Sequence, residues 1–158
     1  IAGKYGADYC LDPTACDVGY EIKRITGKMG ADAILETSGS VQALQSALKG
    51  LAYGGTIAYL AFAKPFPAGR WLVQEAHYNY GKIVFSRACS EPNPDYPRWN
   101  RKRIEDVVWD MLMSGYLDCS EIIDPVVKFE DSAEGICTYM DKEQEKSIKM
   151  GVIFGGEE

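Results

Sequence analysis

The chain has 158 residues, of which 46% are hydrophobic and 25% charged, an ordinary composition for a soluble globular domain. Its 17 basic and 23 acidic residues give a formal net charge of −6, which disfavours nucleic acid and anionic membranes as partners. No apolar run approaches the roughly 18 residues that a membrane-spanning helix needs, and we expect no signal peptide. We therefore expect a single cytoplasmic domain.

The cysteines are odd in number and widely scattered, without a C-x-x-C motif or a Cys/His pair at metal-ligand spacing. This pattern predicts reduced, buried and chemically inert thiols rather than disulfides or a metal site. The residues concerned are Cys10, Cys16, Cys89, Cys119 and Cys137.

Short apolar runs alternate with amphipathic stretches from the beginning of the chain. Asp8–Leu11 is a possible short strand. The spacing of Val18, Ile22 and Ile25 places them on one face of a helix that ends at Gly27.

A second strand and helix follow. Ala33–Leu35 predicts a strand that runs into Glu36-Thr-Ser-Gly39, and Ser38 or Ser40 is available to cap the next helix. Gly54-Gly55 is expected to end that helix, before a β-prone run over 56–63 that is typical of a strand covered on both faces. The apolar residues at helical spacing are Val41, Leu44, Ala47, Leu48 and Leu51.

The second half continues the pattern. Lys82–Ser86 predicts a strand, and Gly115 ends an amphipathic helix that carries five apolar residues: Ile104, Val107, Val108, Met111 and Leu112. Ile122–Val127 is an extended stretch, and Ile148–Phe154 is a closing strand. Asp131 and Glu134 have the spacing of a capping box, and they open a helix with one apolar face: Ala133, Ile136, Cys137 and Met140.

Parallel strands need crossover helices, so this alternation predicts an α/β fold with a doubly wound parallel sheet. Five ordered features then resemble the C-terminal portion of the medium-chain dehydrogenase/reductase family, the zinc-dependent alcohol and polyol dehydrogenases. They are Gly6-Ala-Asp8, Gly30-Ala-Asp32, Glu36-x-x-Gly39, Leu51-x-x-Gly-Gly55, and the ending from Ile122 through Ala133-Glu-Gly135 to Lys149.

The resemblance covers nearly the whole chain and implies a partial NAD(P)-binding domain over residues 1–158. It implies a Rossmann-like sheet that lacks its first two strands, together with a strand-helix-strand return segment over about 122–154. The glycine-rich turn that holds the cofactor pyrophosphate in this family is not found before Gly6. The family pairs its last Rossmann strands between subunits, so a homo-oligomer through an edge strand near Ile83–Ser86 is expected.

The resemblance also implies which residues approach a nicotinamide nucleotide, NAD or NADP. Thr37, Ser38 and Gly39 would lie on the adenosine side, whereas Tyr59, Leu60 and Ala61 would offer backbone groups to the nicotinamide amide. Ser86 and Ala88 correspond to a further nicotinamide contact, and Lys149 to a basic residue that neutralises pyrophosphate.

Zinc and its ligands lie in an N-terminal domain of the family, so this chain is expected to contain no catalytic and no metal-ligating residue. His77 is given no function, and Arg98–Arg103 is interpreted as a solvated helix start. The favoured function is the cofactor-binding portion of a zinc-dependent alcohol or polyol dehydrogenase, inactive as an isolated chain. The alternatives are a stand-alone nucleotide-binding or interaction module without catalysis, and part of a zinc-free quinone reductase.

Overall fold

The computed structural model describes residues 1–62, 65, 73–86, 96–143 and 146–155. Two compact units are present, over Ala2–Asn93 and Pro94–Glu158. The return segment predicted at about 122–154 lies within the second unit. The assignment of residues 1–158 to a partial NAD(P)-binding domain with this return segment stays a prediction.

The first unit is a three-stranded parallel sheet with helical crossovers. Its elements in chain order are α1 (Val18–Ile25), β1 (Ala31–Glu36), α2 (Val41–Gly50), β2 (Leu51–Tyr59), α3 (Val73–Tyr78) and β3 (Lys82–Phe85). The strands lie in the order β1-β2-β3, and both pairings are parallel. The predicted α/β class with parallel strands is therefore confirmed.

Helix caps fix where these helices begin. Asp17 is the N-cap of α1, where its carboxylate accepts a hydrogen bond from the Tyr20 N–H at 3.0 Å. Ser40 caps α2 and accepts from the Ala43 N–H at 3.4 Å, so Ser40 rather than Ser38 is the capping residue. Both side chains satisfy backbone donors that have no partner inside the helix.

The core of the first unit lies between α2 and one face of the sheet. The buried hydrophobic cluster comprises Leu44, Ala47, Leu48, Leu51, Ile57 and Tyr59, and Ile34, Ala76 and Ile83 pack against it. Thr56 and Ala58, which alternate with buried residues along β2, are only half-buried. Leu35 on β1 is 71% exposed. The described residues therefore cover one face of the sheet more closely than the other, whereas the sequence predicted a strand over 56–63 that is covered on both faces.

Two predicted elements differ in the structure. The possible strand at Asp8–Leu11 is irregular backbone outside the sheet, and this prediction is wrong. The helix α2 ends at Gly50 rather than at Gly54-Gly55, because Leu51 adopts an extended conformation and pairs with Ala31. The two glycines instead lie inside β2, opposite a break in register between Ala31 and Ala33.

The second unit contains α4 (Arg101–Met113) and a two-stranded parallel sheet of β4 (Ile123–Lys128) and β5 (Lys149–Ile153). Asn100 caps α4 by accepting from the Arg103 N–H at 2.9 Å, and the basic residues that follow are exposed. The interpretation of 98–103 as a solvated helix start is therefore confirmed.

The connection between β4 and β5 differs from its prediction. A 3₁₀ turn over Phe129–Asp131 leads into α5 (Ser132–Ile136), and a π-helical stretch follows over Cys137–Lys142. Asp131 makes no side-chain capping hydrogen bond, so the predicted capping box is wrong. Only Gly135 of α5 is buried, beside Met150 and Val127, and the predicted apolar face, Ala133, Ile136, Cys137 and Met140, is exposed.

The cysteines are less buried than predicted. Cys10, Cys119 and Cys137 are exposed and Cys16 is half-buried, with its thiol donating to the Asp12 carbonyl oxygen at 3.3 Å. Cys89 lies outside the described residues. Within the described ranges, no helix is long and apolar enough to cross a bilayer, and the expected cytoplasmic location stays a prediction.

Candidate nucleotide-binding edge

The carboxyl ends of the three parallel strands meet at one edge of the first unit. The backbone N–H of Leu60 donates to the Glu36 carbonyl at 2.9 Å, and the N–H of Ser86 donates to the Tyr59 carbonyl at 2.9 Å. The ends of β1, β2 and β3 are thereby joined in a row. Open parallel sheets bind their ligands in the crevice beyond such strand ends.

The turn after β1 is fixed by the carboxylate of Glu36. One oxygen, Oε1, accepts from the Ser38 N–H at 2.9 Å and from the Ser38 hydroxyl at 2.5 Å. The other, Oε2, accepts from the Gly39 N–H at 3.0 Å. Glu36 is buried, whereas Thr37 and Ser38 are exposed. The turn is therefore held from the inside by the Glu36 carboxylate and presents polar groups to solvent.

Gly39 is the residue that lets this turn approach the end of β2. Its φ is +68°, and a Cβ on it would lie 2.6 Å from the Phe62 carbonyl oxygen. Backbone atoms cannot yield cheaply to such a contact, and L-residues disfavour this conformation. A glycine at this position is therefore required by both conformation and space.

The predicted nicotinamide segment lies at the end of the middle strand. Tyr59 is buried in the core, with its ring tilted against Phe85 at 5.6 Å between centroids. Its hydroxyl has no hydrogen-bond partner among the described residues. Tyr59 could contribute to a ligand site only through its backbone, whereas Leu60 is partly exposed.

The structure brings together seven of the nine predicted cofactor residues: Thr37, Ser38, Gly39, Tyr59, Leu60, Ala61 and Ser86. Lys149 is at the exposed beginning of β5, which belongs to the second unit. Ala88 lies outside the described residues. The cofactor roles of all nine residues stay predictions.

A cavity of about 1130 Å³ opens beside the end of β1 and is lined partly by Glu36, Thr37 and Ser38. Asp17 and Lys49 also line the cavity and form an ion pair. The hydrogen bond from the Lys49 ammonium lowers the pKa of the Asp17 carboxyl, and the Tyr20 N–H lowers it further. Asp17 is therefore ionised at neutral pH, and the two charges largely compensate each other.

The described residues offer no place for a catalytic metal. They contain no group of three or more His, Cys, Asp or Glu side chains close enough to share an ion. His77 is exposed on α3, where its ring meets Tyr78 edge-on at 6.0 Å. Zinc therefore does not fit the part of the chain that the structure describes.

A parallel sheet crossed by helices, with its turns gathered at the carboxyl edge, defines the first unit as Rossmann-like. The sequence model described as zinc-binding dehydrogenase matches residues 1–95, which include this unit. The chain belongs to the zinc-binding dehydrogenase family, and the predicted membership is thereby confirmed.

Individual relatives agree. The chain is 65% identical over 154 residues to D-guloside 3-dehydrogenase of Escherichia coli (strain K12), an alignment that covers 98% of this chain and 44% of the relative. The fold is similar to that of 2R,3R-butanediol dehydrogenase of Bacillus subtilis, with a TM-score of 0.72 at 17% identity, covering 99% of this chain and 40% of that one. A quinone oxidoreductase of Pseudomonas syringae pv. Tomato DC3000 gives a TM-score of 0.65 at 19% identity, covering 98% of this chain and 45% of that one.

The chain therefore spans less than half the length of these relatives. The sequence predicted the strand ends and the Glu36-x-x-Gly39 feature, but it did not predict that the Glu36 carboxylate holds the turn. The signal was present in the Glu-x-Ser-Gly order, since a carboxylate two and three residues before polar donors can accept from both.

Proposed function

We propose that this chain supplies part of the nicotinamide nucleotide site of a dehydrogenase that oxidises a secondary hydroxyl group of a glycoside. The observation that carries the nucleotide part is the meeting of the 37–39 turn, the 59–61 segment and Ser86 at one carboxyl edge of a parallel sheet. The 65% identity to D-guloside 3-dehydrogenase supports the substrate class, with the hydroxyl at C3 as the reacting group.

In this reaction the carbon that bears the hydroxyl gives a hydride to NAD⁺ or NADP⁺, while the hydroxyl proton leaves and a carbonyl forms. The chain's own residues would bind and orient the nucleotide. Thr37 and Gly39 would lie on the adenosine side, and backbone groups of Leu60 and Ala61 on the nicotinamide side. Any zinc that polarises the hydroxyl oxygen would be held by residues other than the described ones. The resemblance to zinc-dependent alcohol dehydrogenases implies the same, since their zinc ligands lie in an N-terminal domain.

The proposed oligomer uses the edge of β3 that faces away from β2. Within the described part of the sheet β3 is an outer strand, and Val84 and Phe85 on it are 48% and 78% exposed. An exposed outer strand is a ready template for pairing with a second copy. We therefore place a homo-oligomer interface at Ile83–Ser86.

The test is a chimera in which this chain replaces the 154 aligned residues of the Escherichia coli enzyme. Nucleotide reduction is followed by absorbance with D-guloside and either NAD or NADP, and the unaltered Escherichia coli enzyme is the control. Turnover within about tenfold of that enzyme would support the proposal, since tenfold is about 1.4 kcal/mol of transition-state stabilisation.

Two other outcomes would contradict it. A folded chimera that binds neither NADH nor NADPH contradicts the nucleotide role and favours an interaction module. A chimera that reduces quinones but leaves glycosides unchanged favours the zinc-free quinone reductase alternative.

A further inference from the structure

We infer that Glu36 is a positioning residue, whose buried carboxylate holds the 37–39 turn in the shape that the nucleotide site requires. The inference rests on the proposed function and deepens it. Glu36 itself would not touch the nucleotide, because only 5% of its surface is exposed and both of its carboxylate oxygens already accept hydrogen bonds.

The carboxylate is matched to the turn in number and direction of donors. Oε1 faces two donors, both from Ser38, and Oε2 faces the Gly39 N–H. An ionised carboxylate is a pure acceptor with room for all three, and hydrogen bonds to a charged acceptor are roughly twice as strong as neutral ones. No neutral side chain of the same length offers acceptors on both sides.

Glu36 also joins the turn to the neighbouring strand. Its carbonyl oxygen accepts from the Leu60 N–H, while its side chain holds Gly39. The space at Gly39 is bounded by the Phe62 carbonyl oxygen. One residue therefore sets the position of the adenosine-side turn relative to the nicotinamide-side segment.

The same contacts change what Ser38 can offer to a ligand. Its hydroxyl donates a hydrogen bond to the Glu36 carboxylate and accepts one from the Ser40 N–H at 3.1 Å. The hydroxyl is therefore oriented by the protein, and a ligand can use only its remaining lone pair. Thr37, which is exposed and directly precedes it, is left as the side chain of the turn best placed to donate to a ribose hydroxyl.

The first measurement is amide hydrogen exchange by NMR on the full chain, with Glu36→Gln as the variant. A glutamine presents an NH₂ group where Oε2 was, so the Gly39 amide loses its acceptor. We expect its exchange to accelerate about tenfold or more, as for loss of a hydrogen bond to a charged group. The Leu60 amide is an internal control, because it donates to the backbone of residue 36 and should change less than about threefold.

The second measurement is the KM for the nucleotide in the chimera. We expect Glu36→Gln to raise that KM about tenfold or more with a much smaller change in kcat, because a misplaced turn weakens binding without touching the reacting atoms. Asp32→Asn is the matched control: it makes the same chemical change at an exposed position at the opposite end of β1 and should leave KM unaltered. If Glu36→Gln does not fold, Ser38→Ala removes one donor at an exposed position and should produce a smaller rise in both readouts.

Unchanged exchange at Gly39 in Glu36→Gln would overturn the inference, and so would faster exchange with an unchanged KM. Either result leaves the proposed function intact if the unsubstituted chimera uses a nucleotide. An unsubstituted chimera that binds no nucleotide would overturn both.

Discussion

Replacing Gly30 by alanine should destabilise the first unit far more than the same change at Gly27. Both glycines have positive φ, +89° and +60°, so both variants carry the left-handed penalty of about 1–2 kcal/mol. Both also gain the same small benefit from a less flexible unfolded chain. The two variants therefore differ mainly in the space around the added methyl group.

The space differs completely. A Cβ at Gly30 would lie 2.7 Å from three backbone atoms, the Gly50 oxygen, the Leu51 carbonyl carbon and the Ala52 nitrogen, whereas nothing lies within 4 Å of a Cβ at Gly27. These three atoms lie where α2 passes into β2 and where Leu51 pairs with Ala31. The sheet would have to open to admit the methyl group, at a further cost of about 1–3 kcal/mol.

The assay is urea unfolding followed by far-ultraviolet circular dichroism. With a slope of about 1–3 kcal/mol per molar, the midpoint for Gly30→Ala should fall roughly 1 M below that for Gly27→Ala. Equal midpoints with equal slopes would refute the reasoning, because they would show that the beginning of β1 is not packed against β2 as described.

Leu48 is 1% exposed, so Leu48→Ala should lower the free energy of unfolding by about 2–5 kcal/mol. Leu35→Ala, at an exposed position, should change it by no more than about 0.5 kcal/mol. Similar losses for the two variants in urea unfolding would show that the core is not where the structure has it. Asp17 has a pKa below its ordinary value of 3.8, so its contribution to stability is present above that value and disappears as the pH falls through the lowered one. Asp17→Asn retains the cap, and its thermal midpoint should therefore fall less than that of the unsubstituted chain between pH 5 and pH 2.5; parallel curves would contradict the assignment. In light scattering, Val84→Lys on the edge strand β3 should shift the chain toward monomer, whereas the control Leu35→Lys on β1 should not. An unsubstituted chain that is monomeric at every concentration would refute the interface.

Several elements were determined by the sequence alone, and the reason is local. The apolar spacing in α1 and in α2 leaves each helix one face to bury, and Ser40, the cap of α2, is one of the two serines that the sequence offered for that role. The strand β1 was equally predictable, because an apolar run ends in polar turn residues. The order of these elements, together with the Glu36-x-x-Gly39 and Gly-Gly features, was enough to indicate the dehydrogenase family.

Other features were decided only by tertiary contacts. Leu51 fits the helical spacing of α2, yet it begins a strand because its backbone finds a partner in Ala31. Asp8–Leu11 has the residues of a strand but lies outside the sheet, since a strand is defined by a neighbour that its own sequence does not contain. Sequence spacing likewise gave Asp131 and Glu134 a capping box that the backbone of the 129–131 turn does not form.

The candidate site shows the same division. The sequence determined that polar and glycine residues follow the strands, because the conformation of a turn depends on residues that are adjacent in the chain. That Glu36 is buried and that Gly39 lies against Phe62 depend on β1 and β2 lying side by side, whereas the hydrogen bonds of the Glu36 carboxylate to Ser38 and Gly39 are local. The pairing of strands is a long-range event, and it turns three separate chain segments into one edge.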